Sequence, residues 1–262
     1  MTVNTKILTK VDSILSSFSY ETSSWTATDL AKRLKLPVST LHGILADLVT
    51  MDFLILDHVT KEYKIGSRYM EMGAQHINSF ELNNIAYGMM RELTLRVNHL
   101  IGLSVLYNGW MYISISILPF ERASGFRYAG SRYPGHLTAG GMAILAHMPA
   151  EQVRRYCTID WGNVPVRPFT YGDLEQQLQT VRNHGYSIPF VDRDLPLPVR
   201  SIGAPVFGRN RQILAGLAII GPWEGLTDDE IARHSRVLAD TANEISFRCA
   251  HIRGSGNYVP AG

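Results

Sequence analysis

The sequence predicts an α+β protein in two parts, a winged helix-turn-helix followed by a larger domain of antiparallel strands covered by helices. Three observations carry this. Between Trp25 and Gly66, two short amphipathic stretches flank a tight turn and lead into two strand-like runs. From Ile101 onward, strand-like and helical runs alternate, and hairpin turns at Asn108-Gly109 and Phe207 to Gln212 join strand pairs. At 262 residues the chain is long enough for two cores of ordinary size.

An opening helix places Ile7, Val11, Ile14, Leu15 and Phe18 at apolar positions. The next helix starts from a Thr26 or Thr28 cap and runs through Leu30, Ala31 and Leu34. After Lys35-Leu36-Pro37, a second helix carries Leu41, Ile44, Leu45 and Leu48 on one stripe at 3.6-residue spacing. Pro37 suits its first turn, where a missing N–H costs nothing. Beyond Asp52, the runs Phe53–Leu56 and Tyr63–Ile65 enclose a hairpin turn over Asp57 to Glu62. A helix pair of this build sets its second helix in the DNA major groove.

The helical pattern from Ser67 to Leu100 is too long and too interrupted for one face. It divides into a connecting helix over 67–81 and the first helix of the next domain. Strands are then expected at 101–107, 110–117, 186–191, 201–207 and 213–220, and helices at 138–147, 150–157, 172–184 and 227–251. Gly185 after His184 reads as a helix C-cap, and Thr227 with Glu230 as a capping box. Hairpins with helices packed on them argue against a doubly wound parallel sheet. The expected divisions are a winged-helix domain over 1–66, the linker helix, an α+β sensory domain over 82–252, and a frayed tail over 253–262.

Composition narrows the function classes. Hydrophobic content of 45% and charged content of 18% are globular values. A net charge of +2 gives no bulk signature of nucleic-acid binding, and the first 75 residues balance eight basic against eight acidic side chains. The basic residues nonetheless cluster at Lys32-Arg33-Lys35 and from Lys61 to Arg68, where a winged helix meets phosphates; ordinary solvated charge is the competing reading. Two isolated cysteines exclude a disulfide framework or a zinc knuckle. With no signal peptide and no apolar run of spanning length, a cytoplasmic protein without a membrane partner is expected.

On the second helix, Ser39, Thr40 and His42 are the first exposed polar side chains, suited to phosphate oxygens and base edges, or, for Ser39 and Thr40, to plain capping. Lys35 in the turn and Lys61 and Lys64 on the wing complete the expected DNA contacts. Farther on, in Gly135 to Ala143, Thr138 can cap a helix whose first residues, Ala139 and Gly140, leave backbone N–H groups open to a carboxylate or neutral acceptor. Close helix–sheet packing explains the same small residues, and both readings stand. Nucleotide-binding glycine loops and the hydrolase and metalloprotease signatures are absent, so no catalytic residue and no cofactor is assigned. Asp192 with Asp194, and His136, His147 and Cys157, are too isolated for a metal to be assigned.

The run Thr28-Asp29-Leu30-Ala31 through Leu36-Pro37-Val38-Ser39-Thr40-Leu41-His42 resembles the IclR family of bacterial transcriptional regulators, as does Tyr63-Lys64-Ile65-Gly66 with Gly73. Arg132 to Gly141 is similar to that family's R-x-P-L-H-A-T-A-x-G-K segment. Gly185-Tyr186, Ile202 to Phe207 and Ile220-Gly221-Pro222 follow in the family's order, so the resemblance spans residues 7 to 250. It implies a winged helix, a linker helix and a GAF-like effector domain, assembled as dimers, often paired into tetramers, on palindromic operators. It also implies an effector pocket where the Thr138 helix meets the 190–201 loop and the strand ending at 220. Position by position, that pocket takes Ala139 and Gly140 as backbone donors, Asp192 and Asp194 on the loop, Ser201 beside the sheet, and Ala218 and Ile220 on the last strand.

The chain departs from the family pattern in telling places. Val38 and Gly43 stand where basic residues usually flank the recognition-helix motif, and Lys35 and Asp52 replace turn glycines. In the pocket, Ser201 replaces a frequent cysteine, and Ala218 and Ile220 replace serines of members that bind small hydrophilic acids. Leu195-Pro196-Leu197-Pro198 replaces a more polar loop. The expected function is a DNA-binding regulator whose C-terminal domain senses a small organic effector, an aromatic acid or amide-like compound. The expected partners are operator DNA, the effector, and a second copy in a homodimer or dimer of dimers. The alternative is a GAF-like enzyme or scaffold that uses its winged helix for protein contact.

Overall fold

The computed structural model describes residues 5–19, 22–119, 132–162, 164, 169–189 and 199–253. Its internal contacts divide the chain into two units, Met1–Ser79 and Phe80–Gly262.

The first unit contains α1 (Thr5–Leu15), β1 (Ser24–Thr26), α2 (Ala27–Leu34), α3 (Val38–Thr50), β2 (Leu54–Leu56), β3 (Glu62–Ile65) and α4 (Arg68–Ser79). Its core gathers Ile14, Leu30, Ala31, Leu54 and Tyr63 around the α3 stripe of Leu41, Ile44, Leu45 and Leu48, all buried. Thr26 caps α2, its hydroxyl accepting from the Asp29 N–H, a contact worth about 1 kcal/mol. The turn between α2 and α3 is closed by Lys35 in the left-handed region at φ 52, and Asp52 after α3 takes φ 59. Both are positions where glycine is the unstrained residue. The three-stranded sheet has the order β1-β3-β2, with Trp25 opposite Tyr63 and Leu56 opposite Tyr63 on its other side. The β2–β3 hairpin follows the pattern expected from the sequence, whereas β1 has no such signal. The exposed Met70, Met72 and Ile77 lie on α4, which buries none of its residues.

The second unit opens with α5 (Glu81–Val97). The sheet strands follow as β4 (Leu100–Tyr107), β5 (Trp110–Ile117), β6 (Arg132–Pro134), β7 (Val199–Phe207) and β8 (Ile213–Pro222). The helices α6 (Ala139–Leu145), α7 (Ala150–Tyr156) and α8 (Tyr171–His184) come between β6 and β7, and α9 (Asp228–Arg248) ends the unit. The sheet order is β6-β5-β4-β8-β7, and every pairing is antiparallel. Asn108 and Gly109, both at positive φ, make the tight β4–β5 turn. Gly185 caps α8 at φ 77, and Thr227 and Glu230 form the expected capping box at α9. The expected strand over 186–191 is corrected: among its described residues only Ser187 bridges the sheet, opposite Gly203, and 190–191 lie outside the described residues.

Strand alternation sorts the sheet into two faces. Ile101, Leu103, Val105, Ile202, Ala204, Val206, Leu217 and Ile219 join α5 and α9 in one apolar core. On the opposite face α6 lies across β4, β7 and β8, and a second core of Leu106, Met111, Met142, Leu145, Tyr156 and Leu178 reaches α7 and α8.

Candidate nucleic-acid interface and effector site

Burial of the Leu41/Ile44/Leu45/Leu48 stripe fixes which side of α3 meets solvent. Ser39, His42, Gly43, Ala46, Asp47 and Thr50 are exposed, and Thr40 is half-buried. The N-cap position of α3 is Pro37, and no side chain caps it, so Ser39 and Thr40 are not the capping residues that sequence analysis allows. A Cβ on Gly43 would meet nothing within 4 Å, which leaves a flat stretch one residue beyond His42.

Lys35 is exposed and carries no ion pair among the described residues, whereas Lys32 reaches Asp29 at 3.8 Å and Arg33 lies over the Trp25 ring. On the wing, the Asp57 carboxylate accepts from the N–H groups of Val59 and Thr60 and pairs with Lys64 at 3.3 Å. Those contacts, the Thr60 N–H first, hold the Asp57 carboxyl below its ordinary pKa. Lys64 is thus tied to the turn it helps to shape, and Lys61, exposed at φ 59, is the more available cation.

In the second unit, register brings several expected effector residues together. Ser201 pairs with Ile220 and Gly203 with Ala218 across β7 and β8, while Leu100 and Gly102 pair with the same two β8 residues from β4. All of these share the face that α6 covers. Thr138 caps α6 by accepting from the Gly141 N–H at 3.1 Å. The N–H groups of Ala139 and Gly140 come before the first N–H of the helical ladder, that of Met142, which donates to the Thr138 carbonyl, and they have no partner among the described residues. Asp192, Asp194, Leu195 and Leu197 lie outside the described residues.

Close packing at this helix end is now measurable. A Cβ on Gly203 would stand 2.4 Å from the Ala139 carbonyl oxygen, and one on Gly216 2.1 Å from that of Gly140. A Cβ on Gly141 would stand 2.2 Å from the Gly135 carbonyl oxygen. The small residues therefore do allow helix–sheet contact, and the two open N–H groups coexist with it. Ser187, which sequence analysis does not single out, fastens the junction: its hydroxyl donates to the Ala139 carbonyl at 2.6 Å, and its backbone exchanges two hydrogen bonds with Gly203. No local pattern marks that serine.

His136 and Tyr156 form a second pair missed from the sequence. The Tyr156 oxygen accepts from the His136 backbone N–H at 2.9 Å and lies 2.6 Å from His136 Nδ1. Phe169 and Trp161 pack on the imidazole, and burial pushes its pKa down to about 4. Burial also raises the Tyr156 hydroxyl's pKa. The ring is neutral at pH 7, so Nδ1 can accept the phenol proton. Cys157 and Cys249 are both free thiols, and burial raises the pKa of each. No helix among the described residues is long and apolar enough to cross a membrane.

Comparison with known proteins agrees with this architecture. Residues 8–57 match the IclR helix-turn-helix domain, and residues 74–247 match the bacterial transcriptional regulator IclR C-terminal domain. The chain is 25% identical over 250 residues to the HTH-type transcriptional regulator KipR of Bacillus subtilis, covering 94% of this chain and 98% of that one. It is 24% identical over 236 residues to the transcriptional repressor IclR of Escherichia coli, covering 86% and 83%. The crystal structure of an IclR homolog complexed with 4-hydroxybenzoate, from Microbacterium hydrocarbonoxydans, superposes with a TM-score of 0.73 at 20% identity, covering 92% of this chain and 97% of that one. With both of its domains matched in order, the chain belongs to the IclR family of bacterial transcriptional regulators, with a DNA-binding helix-turn-helix and an effector domain.

Proposed function

We propose that the effector of this regulator is an aromatic acid or an amide-like relative, bound beneath the N-terminus of α6. The observation that carries this is the sheet face itself, where Ser201, Ala218, Ile220, Gly102 and Gly203 meet beside the open N–H groups of Ala139 and Gly140. A carboxylate or carbonyl oxygen suits those donors and the positive end of α6, without a charged side chain. Ala218 and Ile220 offer an apolar surface that favours a ring at about 25 cal/mol per Å² buried, and Leu195 and Leu197 would belong to the same wall. Asp192 and Asp194 would border the polar end. The 4-hydroxybenzoate complex of the Microbacterium homolog supports the same ligand class.

The protein would act as a homodimer, or as a dimer of dimers, on palindromic operator DNA, without catalysis or cofactor. The exposed Met70, Met72 and Ile77 of α4 support such an assembly, since a second copy would cover them. Effector binding would shift the population of states that differ in the spacing of two α3 helices. Ser39, Thr40 and His42 would reach the major groove, with Lys35, Lys61 and Lys64 on phosphates. Lys61 would carry more of the wing's contact because Asp57 competes for Lys64.

Calorimetry separates the effector reading from its rivals: 4-hydroxybenzoate or benzamide should bind, and pyruvate and glyoxylate should not. Tight pyruvate binding with no aromatic response would overturn it. On the DNA side, an electrophoretic shift against the gene's own upstream region should be lost in the Thr40→Ala/His42→Ala variant, at roughly 1–3 kcal/mol per base contact. Unchanged operator affinity in that folded variant would mean that another surface reads the DNA.

A further inference from the structure

We propose that His99, Glu230 and His234 form a binding site for a divalent transition-metal ion of the zinc class, apart from the effector site and from the DNA-binding unit. His99 sits in the short connection between α5 and β4 and is 6% exposed. Glu230 and His234 occupy successive turns of α9, four residues apart, so both side chains project from one helix face toward His99. Each of the three residues offers a donor atom, and these atoms all lie within 4.8 Å of one another. The two imidazoles meet edge to face, with ring centroids 5.9 Å apart at 75°.

The donor set selects the metal. Two imidazole nitrogens and one carboxylate suit zinc and its neighbours, whereas calcium and magnesium demand oxygen ligands in greater number. Bond lengths of about 2.0–2.2 Å would draw the donors roughly 3.3–3.5 Å apart, an adjustment of about an ångström in side-chain rotamers. Two features of the surroundings resemble the supports of built metal sites. Glu230 Oε2 accepts from the Thr227 N–H at 3.0 Å, which orients the carboxylate and leaves Oε1 outside the cap. Gly221 admits the His99 ring, because a Cβ at that position would lie 2.9 Å from His99 Nδ1. Three protein ligands leave a coordination position for water or an exogenous anion. The bound ion would fasten the first turns of α9 to the start of β4, so metal should raise the stability of the effector domain.

The full-length chain, stripped with a chelator and titrated with Zn²⁺ in a calorimeter, should bind one ion per chain and melt at a higher temperature. Co²⁺ in its place should show the visible absorption of a four- or five-coordinate ion. His234→Gln, on a half-buried turn, should weaken Zn²⁺ affinity at least tenfold and remove the melting shift. Glu230→Gln should do the same while keeping a side chain able to close the capping box. His99→Asn completes the set where circular dichroism confirms folding. Less than one ion per chain in the parent would overturn the assignment, as would Zn²⁺ binding unchanged in His234→Gln and Glu230→Gln.

Discussion

The two faces of the five-stranded sheet are built from the same strands and do opposite work. Toward α5 and α9, alternate positions carry large aliphatics, and Ile101, Leu103, Ile202, Leu217 and Ile219 are fully buried. Toward α6 the intervening positions carry Gly102, Ser104, Ser201, Gly203, Gly216 and Ala218. Each large aliphatic buried on the first face contributes about 1.5–3 kcal/mol relative to its exposure, while the second face surrenders that burial. In return the backbone of α6 approaches the sheet, with the Ala139 and Gly140 carbonyls lying against Gly203 and Gly216. One face is devoted to aliphatic packing, the other to the close approach of a helix backbone, and the second is the one proposed for the effector.

The largest stability loss should therefore come from the aliphatic face. Leu103→Ala leaves a cavity among residues that cannot close around it and should cost about 2–5 kcal/mol, read from urea midpoints. Effector affinity should change little in the variant that remains folded; a marked change would show that the faces are coupled. On the opposite face Gly203→Ala should cost about 1–3 kcal/mol, because the new methyl meets the Ala139 carbonyl at 2.4 Å and the Ser187 hydroxyl at 2.7 Å. Here the effector-induced melting shift should vanish while operator binding by the separate N-terminal unit persists. A variant as stable as the parent would mean that α6 is not held where its contacts imply.

A comparable loss is expected from acid. The His136 pKa falls from an ordinary 6.5 to about 4 on burial, so the unfolded chain binds a proton that the folded chain refuses. The stability conferred by this neutral ring is complete well above pH 6.5 and declines as pH falls toward 4, by on the order of 3 kcal/mol. His136→Gln should flatten that limb between pH 7 and pH 4.5 relative to the parent. Parallel pH profiles for the two proteins would place the acid sensitivity elsewhere.

How much of this was legible depends on whether the signal was local. The α3 stripe repeats every 3.6 residues, so its buried and exposed sides follow from sequence alone. The caps at Thr138 and Thr227 and the turns at Asn108-Gly109 and Gly185 are equally local. Lys35 and Asp52 show why the family resemblance helped: each stands in place of a turn glycine, and each adopts the positive φ that glycine would take freely. Strand β1 escaped because three residues, Ser24 to Thr26, have no period of their own and exist as a strand only against β3. Ser187 lies in the 186–191 run that reads as a strand, of which the described residues form only an isolated bridge, and its tie to Ala139 depends on a contact 48 residues away in sequence. His99 likewise meets Glu230 and His234 only through the packing of α9 beside the start of β4, which no spacing in the sequence announces.

The smallest expected change in stability gives the sharpest test of what the glycine-rich face is for. Gly102 sits between Leu100 and Ser104 on the α6 side, opposite Ala218, and a Cβ there would find Ile220 Cδ1 at 3.6 Å, Leu100 Cδ2 at 3.9 Å and Ile113 Cγ2 at 4.0 Å. These are ordinary contact distances, so Gly102→Ala fits without strain, unlike Gly203→Ala. Removing a strand glycine also reduces the entropy lost on folding, and the net effect should lie within about 0.5 kcal/mol of the parent or slightly above it. Yet the methyl would project into the surface proposed for the aromatic ring, beside Ala218 and Ile220. If the ring lies there, affinity for 4-hydroxybenzoate should fall about tenfold, equivalent to roughly 1.4 kcal/mol, with folding intact. Calorimetry on the two proteins decides the point. Equal affinities would place the ligand away from β4, and the scarcity of side chains on this face would then serve only the close approach of α6.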